Sequence, residues 1–360
     1  MILQKLQLWN FRSYENLEIT FPSGITILTG ENGQGKTNVV ESVYLLCTGR
    51  SHRTNRETDM IRNDKTWTRV RAEDLQRDGR HCVDLVMARG QKKRILVNGL
   101  AISRISEMLG QLSGVIFSPE DLDLVKSGPG ERRRFMDIEL SQVSKAYFFA
   151  LSEYNKVLDQ RNKLLKEGGN DANIAVWDMM LAQKAVPIIK ARRRFCERLS
   201  PMATENHAYL SSGKEKLSCV YKGCMPDDVE DIEGKMLEIL EKSRESDKKR
   251  FFTTCGPHKD DLMIKLGETD LRYFGSQGQQ RTATLAMKLS ELEMMREDLG
   301  EYPVLLLDDV LSELDPTRQK MLFDRIKDVQ TIVTVAQPVD FFKNLDVTFY
   351  KVAGGRIWRP

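Results

Sequence analysis

The chain has 360 residues, of which 41% are hydrophobic and 30% are charged, and its formal net charge is +3. This composition is typical of soluble globular proteins and argues against a disordered or fibrous chain, and the length allows two domains. A net charge this small does not predict a nucleic-acid partner, so any such surface has to come from local basic patches.

No segment of the sequence predicts export or membrane insertion. No apolar run approaches the length of a membrane span, and the first residues lack the basic and apolar regions of a signal peptide. The six cysteines include no C-x-x-C pair, and the four histidines have no metal-ligand spacing. We therefore predict a cytoplasmic protein with reduced thiols and no zinc site.

The first part of the chain, to about residue 118, is rich in predicted strands. Strands are expected at residues 2–8, 17–21 and 25–28. Two alternating runs then predict a hairpin around residues 89–90, and residues 114–121 predict a strand that ends in a proline-marked turn.

Residues 30–37, G-E-N-G-Q-G-K-T, follow the third strand and fit the P-loop pattern G-x-x-x-x-G-K-[ST]. Its glycines let the backbone point N–H groups at phosphate oxygens, Lys36 supplies a positive charge, and Thr37 offers a hydroxyl to Mg²⁺. A predicted helix over 37–47 adds the positive end of its dipole. The predicted nucleotide-binding residues of the loop are Gly30, Glu31, Asn32, Gly33, Gln34, Gly35, Lys36 and Thr37.

The middle of the chain is predicted to be helical. Helical periodicity covers residues 131–166, the sequence GGND breaks it, and a second stretch covers 173–207. Pro187 is expected to kink or split this second stretch. A third, highly charged stretch covers 229–248, so this region reads as a helical arm.

The last part returns to alternating strands and helices, with strands predicted at 258–266, 304–309, 331–337 and 347–358. One sheet that carries both the P-loop and the motifs near residue 308 has to admit a large insertion. We therefore predict an α/β P-loop domain formed by residues 1–120 and 252–360, with an inserted α-helical arm over residues 121–251.

Residues 304–309, V-L-L-L-D-D, predict a buried parallel strand that ends in two carboxylates. Alone, this pattern fits equally a strand that ends in solvated acids. Beside a P-loop it indicates a Walker B strand. Asp308 would then hold Mg²⁺, and Asp309 would orient or deprotonate an attacking water.

Residues 275–281, G-S-Q-G-Q-Q-R, open a predicted helix and offer a second anion-binding site at Ser276, Gly278 and the first helical N–H groups. The alternative is an ordinary helix start with Ser276 as N-cap. One nucleotide does not need two such helix starts from one side. We therefore interpret this motif as serving a nucleotide held by another copy of the chain.

Together these motifs resemble the ATPase heads of the SMC class of ABC proteins. Further segments resemble the RecF family of bacterial recombination mediators in particular, and they occur in the family's order from end to end: NFRSYENLEI, GENGQGKTN, GRSHR, FSPEDL, GPGERRRFMD, GPHKDDL, GSQGQQR and LLLDDVLSELD. The resemblance implies an ABC/SMC-type head with an inserted arm, and ATP and Mg²⁺ as cofactors.

The resemblance also implies roles for individual residues. Two heads would dimerise in ATP, so that the signature motif of one chain closes on the γ-phosphate at Lys36 of the other. The signature residues are Ser276, Gly278 and Gln279, and the following D-loop contributes Ser312 and Asp315. Thr37, Asp308 and Glu120 would face Mg²⁺, and Arg12 and Arg53 would contact phosphate or base.

At the level of function, the resemblance implies an ATP-dependent clamp on duplex DNA and single-strand/double-strand junctions. It would act in recombinational repair and replication restart, and help RecO and RecR to load RecA. The chain departs from the ABC pattern at Asp309, where glutamate is usual, at Glu120, where glutamine is usual, and at residues 334–338, which lack a switch histidine. These departures predict a weak ATPase that works as a switch.

DNA contacts are expected at the hairpin tip and in the basic segment before it: Arg56, Arg89, Lys92, Lys93 and Arg94. Further basic runs at 132–134, 192–194 and 248–250 fit DNA contacts or solvated, ion-paired faces. No aromatic stacking platform for single strands is evident.

Two other functions share the P-loop. The ATPase subunit of an ABC transporter would have similar nucleotide motifs but needs no helical insertion of this length. A P-loop kinase for a small molecule would leave residues 275–281 and 312–315 unexplained.

Overall fold

The structure is a computed structural model that describes residues 1–211, 213, 215–337, 342 and 346–360. Its contacts divide the chain into two compact units. The first unit comprises Met1–Asp121 and Lys288–Pro360, and the second comprises Leu122–Met287.

The described strands are β1 (Ile2–Phe11), β2 (Tyr14–Thr20), β3 (Ile25–Thr29), β4 (Trp67–Gln76), β5 (Gly79–Ala88), β6 (Arg94–Val97), β7 (Leu100–Ile102), β8 (Gly114–Phe117), β9 (Leu217–Lys222), β10 (Asp261–Leu266), β11 (Thr269–Asp270), β12 (Val304–Asp308), β13 (Thr331–Val335), β14 (Val347–Ala353) and β15 (Arg356–Trp358). The described helices are α1 (Lys36–Thr48), α2 (Ile105–Met108), α3 (Asp123–Lys126), α4 (Pro129–Val143), α5 (Lys145–Lys166), α6 (Asp171–Ser211), α7 (Ile232–Arg250), α8 (Leu271–Phe274), α9 (Gln277–Leu299) and α10 (Pro316–Ile326).

The first unit contains a largely parallel sheet of order β15-β14-β3-β13-β12-β8, in which only β15 is antiparallel to its neighbour. Every residue of β12 and β13 is buried, as the continuous apolar runs of a covered parallel sheet require. Because parallel strands share a direction, the loops after β3, β8 and β12 meet at one edge.

A second sheet of the first unit is antiparallel, with the order β2-β1-β4-β5-β6-β7. Burial in β4 follows the two-residue period of a strand with one covered face. The hairpin predicted around residues 89–90 is confirmed, because β5 and β6 pair with Val86 opposite Arg94. One cluster of buried apolar side chains joins this sheet, α1 and the parallel sheet.

The second unit packs α4 to α7 with the antiparallel sheet β11-β10-β9. Residues 252–287 belong to this unit, and not with the head as the sequence predicts, because β10 pairs along its whole length with β9. Residues just before β10 and at its first position, for which the sequence suggested only a turn into a strand, anchor the helices. Arg192 of α6 donates to the carbonyl of Pro257 at 2.6 Å, and Arg132 of α4 donates twice to Asp261.

Arg132 and Arg192 are 4% and 1% exposed. Buried guanidinium groups with several partners are structural ion pairs. The suggestion that the basic runs 132–134 and 192–194 contact DNA is therefore wrong for these two residues.

The predicted helical stretches differ from the helices in two details. The stretch 131–166 is two helices, because the Ser144 hydroxyl accepts from the backbone N–H of Tyr147 and starts α5. The second stretch is not split, since α6 continues through Pro187 and Pro201. Packing of α6 against α5, α7 and β9 offsets the hydrogen bonds that the prolines remove.

Asp74 is a fully buried carboxyl on β4, and its Oδ1 has no hydrogen-bond partner among the described residues. Burial raises the pKa of Asp74 from 3.8 to about 6, against the opposing effects of a hydrogen bond from Gln76 and the charge of His81. The folded chain therefore keeps this proton to a higher pH than the unfolded chain. The free energy of unfolding consequently falls as the pH rises through this range.

Asp74→Asn is expected to raise the free energy of unfolding at pH 8 by about 2 to 3 kcal/mol, since one pKa unit corresponds to about 1.4 kcal/mol. The gain should shrink as the pH is lowered from 6 toward 4, because the wild-type carboxyl then becomes protonated in the folded chain first, and in the unfolded chain only near its ordinary pKa of 3.8. Denaturant unfolding at pH 8, 6 and 5 measures it, with the exposed Asp324→Asn as control. A gain that does not depend on pH would contradict this account.

Candidate nucleotide-binding site

The loop between β3 and α1 has the backbone that its glycines predict. At Gly30, a Cβ atom would lie 2.1 Å from the carbonyl oxygen of Val352. Gly35 has φ 114 and caps α1, and the Tyr14 hydroxyl donates to its carbonyl at 3.0 Å. Neither position accepts a side chain, so the loop stays close to β14 and to the β1–β2 turn while its N–H groups remain available.

Lys36 is the first residue of α1 and is 7% exposed. Its Nζ donates to the carbonyl oxygens of Gly30 at 2.5 Å and Glu31 at 2.9 Å. Burial lowers the pKa of Lys36, and the nearby carboxylates of Asp309 and Asp308 oppose that change. The ammonium group therefore lies inside the loop, where phosphate oxygens can replace the two carbonyls as its partners.

Asp308 ends β12 beside the P-loop helix. Its Oδ1 accepts hydrogen bonds from the hydroxyls of Thr37 at 3.0 Å and Thr334 at 2.7 Å. Burial raises the pKa of Asp308, the two hydroxyls lower it, and the charge of Glu120 raises it further. The structure thus brings together the predicted ligands Thr37 and Asp308, with Glu120 close enough to act on their electrostatics.

These residues fit Mg²⁺. A buried carboxylate whose net pKa is raised is short of positive charge, and a divalent cation supplies it. Mg²⁺ takes oxygen ligands, usually with one or two carboxylates, and completes its shell with phosphate and water. A magnesium site of this kind does not require three or more His, Cys, Asp or Glu side chains, and no such cluster occurs among the described residues.

Thr334 is a candidate site residue that the sequence did not reveal. Residues 334–338 were singled out only for lacking a histidine, and Pro338 lies outside the described residues. Thr334 is directly opposite Asp308 in the β12–β13 register, and it also accepts a hydrogen bond from the N–H of Asp309 at 3.0 Å. Placing β13 next to β12 in advance would have identified it.

Asp309 follows in the left-handed region, with φ 54 and ψ 19. Asp and Asn adopt this conformation more readily than longer side chains, which gives a backbone reason for aspartate here. The predicted D-loop residues have structural partners of their own. The Ser312 hydroxyl donates to the Asp309 carbonyl at 2.7 Å, and Asp315 caps α10 by accepting from the Arg318 N–H.

Glu41 of α1 is fully buried and was also missed. It accepts two hydrogen bonds from Arg12, at 2.6 and 2.9 Å, and one from the Ser51 hydroxyl at 2.6 Å, while Arg53 lies 3.5 Å away. Burial acts to raise the pKa of Glu41, but these partners together lower it. Arg12 is thus committed to Glu41, whereas the side chain of Arg53 is 40% exposed. Their contact with nucleotide stays a prediction.

The signature residues lie in the second unit and form a capping box. The Ser276 hydroxyl accepts from the N–H of Gln279 at 3.2 Å, and the Gln279 side chain accepts from the N–H of Ser276 at 2.9 Å. The Gln279 amide also donates to Glu215, and Gly278 borders open space. The ordinary helix cap is therefore present, and the role toward a second copy stays a prediction.

At the hairpin tip, the predicted DNA-contacting residues differ in availability. Lys93 donates to Glu57 at 2.7 Å and to the Gly49 carbonyl at 3.2 Å, so its charge is compensated. The exposed members are Arg56, Arg89, Lys92 and Arg94.

A family model described as the RecF/RecN/SMC N terminal domain matches residues 2–353. The DNA replication and repair protein RecF of Ruminiclostridium cellulolyticum is 43% identical, with 99% of each chain covered. That of Alkaliphilus oremlandii is 42% identical, with 93% of each covered.

Among solved structures, one of the recombination mediator protein RecF with ATP, in the RecFOR pathway, matches with a TM-score of 0.94 at 35% identity, covering 100% of this chain and 97% of its own. An Smc head bound to the C-terminal winged-helix domain of ScpA matches with a TM-score of 0.59 at 18% identity, covering 99% of this chain and 96% of its own. The second likeness concerns the fold alone.

Proposed function

We propose a function from one premise: this chain belongs to the RecF family, within the RecF/RecN/SMC group of ATPases. In this proposal it is an ATP-dependent DNA-binding protein of recombinational repair and replication restart. ATP-driven dimerisation clamps DNA at gaps and single-strand/double-strand junctions, and slow hydrolysis resets the clamp. The observation that carries it is the contact of P-loop Thr37 with Asp308 at the carboxyl edge of the parallel sheet.

ATP binds with its phosphates on the N–H groups of residues 30–37. Lys36 exchanges the carbonyls of Gly30 and Glu31 for phosphate oxygens. Thr37 and Asp308 hold Mg²⁺, with Glu120 as a further ligand or water contact. The bound cation neutralises charge on the phosphate oxygens. The RecF structure solved with ATP supports this assignment.

In hydrolysis, Asp309 accepts a proton from the water that attacks the γ-phosphorus, and the bond to the leaving ADP oxygen breaks. The hydrogen bond from the Asp309 N–H to the Thr334 hydroxyl fixes the Asp309 backbone. Its side chain is one methylene shorter than the glutamate usual in ABC ATPases, so it reaches the water less well. This favours a weak ATPase that acts as a timer for dissociation.

The remaining contacts to the bound nucleotide come from another copy of the chain. The capping oxygen of Ser276 and the side chain of Gln279 already lie at a helix N-terminus, which attracts phosphate. When two heads meet, Ser276 and Gln279 of one chain exchange their internal hydrogen bonds for contacts with the γ-phosphate that is bound at Lys36 of the other chain. The open space beside Gly278 leaves room for that approach.

DNA then contacts the exposed basic side chains of the first unit, Arg56, Arg89, Lys92 and Arg94, through its phosphates. The RecFOR pathway named for the solved relative supports RecO and RecR as partners, with RecA loading as the outcome. Cytoplasmic location remains part of this proposal.

The two alternative functions explain less. The relatives reported above are DNA replication and repair proteins, and a transporter subunit finds no support among them. A small-molecule kinase leaves the signature motif without a purpose.

Ser276→Arg is expected to leave ATP affinity unchanged and to abolish the ATP-dependent dimer, because a long cationic side chain blocks approach of the partner's P-loop. Sedimentation with and without ATP and Mg²⁺, then with gapped DNA, measures it. Ser246→Arg on the exposed face of α7 is the control for added charge and bulk.

Ser276→Asp separates the composite site from simple loss of the helix cap. Aspartate keeps an oxygen for the cap but repels the γ-phosphate, so this variant should also stay monomeric in ATP. If the wild type stays monomeric with ATP and DNA, or if both variants dimerise normally, the shared site is wrong and the motif is only a helix cap.

A further inference from the structure

Two consecutive phenylalanines are exposed at the end of α7 in the second unit. Phe251 and Phe252 are 55% and 40% exposed. Phe251 caps the helix with φ 61 and ψ 23, a left-handed conformation that is a real outlier for a bulky side chain. Such strain persists where the surrounding structure enforces it, and it is concentrated at ligand-binding positions.

The enforcement is visible on both sides of Phe251. Before it, Asp247 accepts from the N–H of Thr254 at 3.0 Å. After it, the N–H of Thr253 donates to Asn162 of α5 at 2.7 Å. These bonds hold the turn from within the unit, so the outward position of the two rings is built into the fold.

One cation lies against a ring, and two more directly precede the rings in the chain. The side chains of Lys249 and Arg250 are exposed and have no hydrogen bond or ion pair within the part of the chain that the structure describes. The exposed Lys259 places its Nζ 4.9 Å from the ring centroid of Phe252. Lys248 differs, since it is paired with Asp171 at 2.6 Å. Basic residues suit any helix C-terminus, but that preference does not account for two exposed rings beside them.

We propose that the Phe251 patch, formed by Lys249, Arg250, Phe251, Phe252 and Lys259, binds single-stranded DNA. The cations contact phosphates, and the rings stack on unpaired bases. Duplex DNA hides its base faces, so it offers only the phosphate contacts. This inference rests on the proposed DNA-binding function and adds to it a site for the unpaired strand of a gap. Sequence reasoning found no such platform because the two rings are presented outward by the left-handed turn at Phe251, which no local pattern predicts.

The test uses Phe251→Gly and Phe252→Leu in the full chain, titrated with labelled oligothymidylate and with a blunt duplex of equal length. Glycine suits the left-handed backbone, so Phe251→Gly removes the ring without adding strain. Each variant is expected to bind oligothymidylate at least about fivefold more weakly and the duplex as the wild type does. Phe149→Leu, a 41% exposed phenylalanine of the same unit, is the control.

A second readout tests stacking without changing the protein. An abasic strand of equal length, which can stack on neither ring, should bind to the wild type at least as weakly as oligothymidylate binds to either variant. The inference would be overturned if both variants bound oligothymidylate as tightly as the wild type, or if each variant lost equal affinity for the single strand and the duplex. The first of these results would indicate that the exposed rings bind a protein partner instead. Wild-type binding to gapped duplex with ATP is measured in parallel. If that binding fails as well, the proposed function falls; if it holds, only the Phe251 patch is wrong.

Discussion

Lys36→Ala is expected to weaken ATP binding by roughly a hundredfold, or about 3 kcal/mol, because it removes the buried charge that faces the β- and γ-phosphates. Lys36 is 7% exposed and donates to two loop carbonyls. Truncation frees these carbonyls to water, so the loop itself should survive. The ATP-induced dimer and the ATP-dependent part of DNA binding should disappear with the nucleotide.

Titration with a fluorescent ATP analogue measures this loss, and thermal unfolding with and without ATP provides an independent reading. Lys320→Ala, on the exposed side of α10, is the matched control. AMP, which lacks the phosphates that Lys36 contacts, should bind the wild type and Lys36→Ala equally weakly. Undiminished ATP affinity in Lys36→Ala would remove residues 30–37 from the nucleotide site.

Sequence reasoning predicted that the P-loop and the acids after β12 lie together, because these motifs encode local backbone and topology. Glycine spacing specifies the curl of the loop, and an apolar run ending in acids specifies a central parallel strand. Together they predict that Thr37 and Asp308 meet, although 271 positions separate them in the chain. Thr334 and Glu41 were not predicted, because no local sequence pattern encodes their contacts. Those of Thr334 depend on the order of the strands, and those of Glu41 depend on arginines distant in the sequence.

In the arm, the sequence left open whether the basic runs contact DNA or form ion pairs. Arg132 and Arg192 belong to basic runs on helices, and in the sequence they are indistinguishable from solvated lysines and arginines. Their burial depends on carboxylates and carbonyls supplied by other elements, such as Asp261 and Pro257. The turn at Phe251 is comparable, since its φ follows from bonds to Asn162 and Asp247 and not from its own residue type.

Asp309→Asn is expected to slow ATP hydrolysis by about 10² to 10⁴-fold, because the amide cannot accept the proton of the attacking water. Asparagine tolerates the left-handed backbone as well as aspartate does. The hydrogen bond from the N–H of residue 309 to the Thr334 hydroxyl does not involve the side chain of residue 309. ATP affinity and dimerisation should therefore persist, and the dimer should live longer on DNA. Single-turnover hydrolysis and dimer lifetime measure both consequences in one sample.

The combination of outcomes discriminates between two roles for the acid. Loss of hydrolysis with a longer-lived dimer identifies Asp309 as the group that takes the proton and sets the release time. Loss of hydrolysis together with ATP affinity would instead place Asp309 among the Mg²⁺ ligands, as an addition to Asp308. Unchanged hydrolysis would transfer the proton-accepting role to the exposed Glu120, whose charge already acts on Asp308. Glu120→Gln is therefore the variant to measure alongside it.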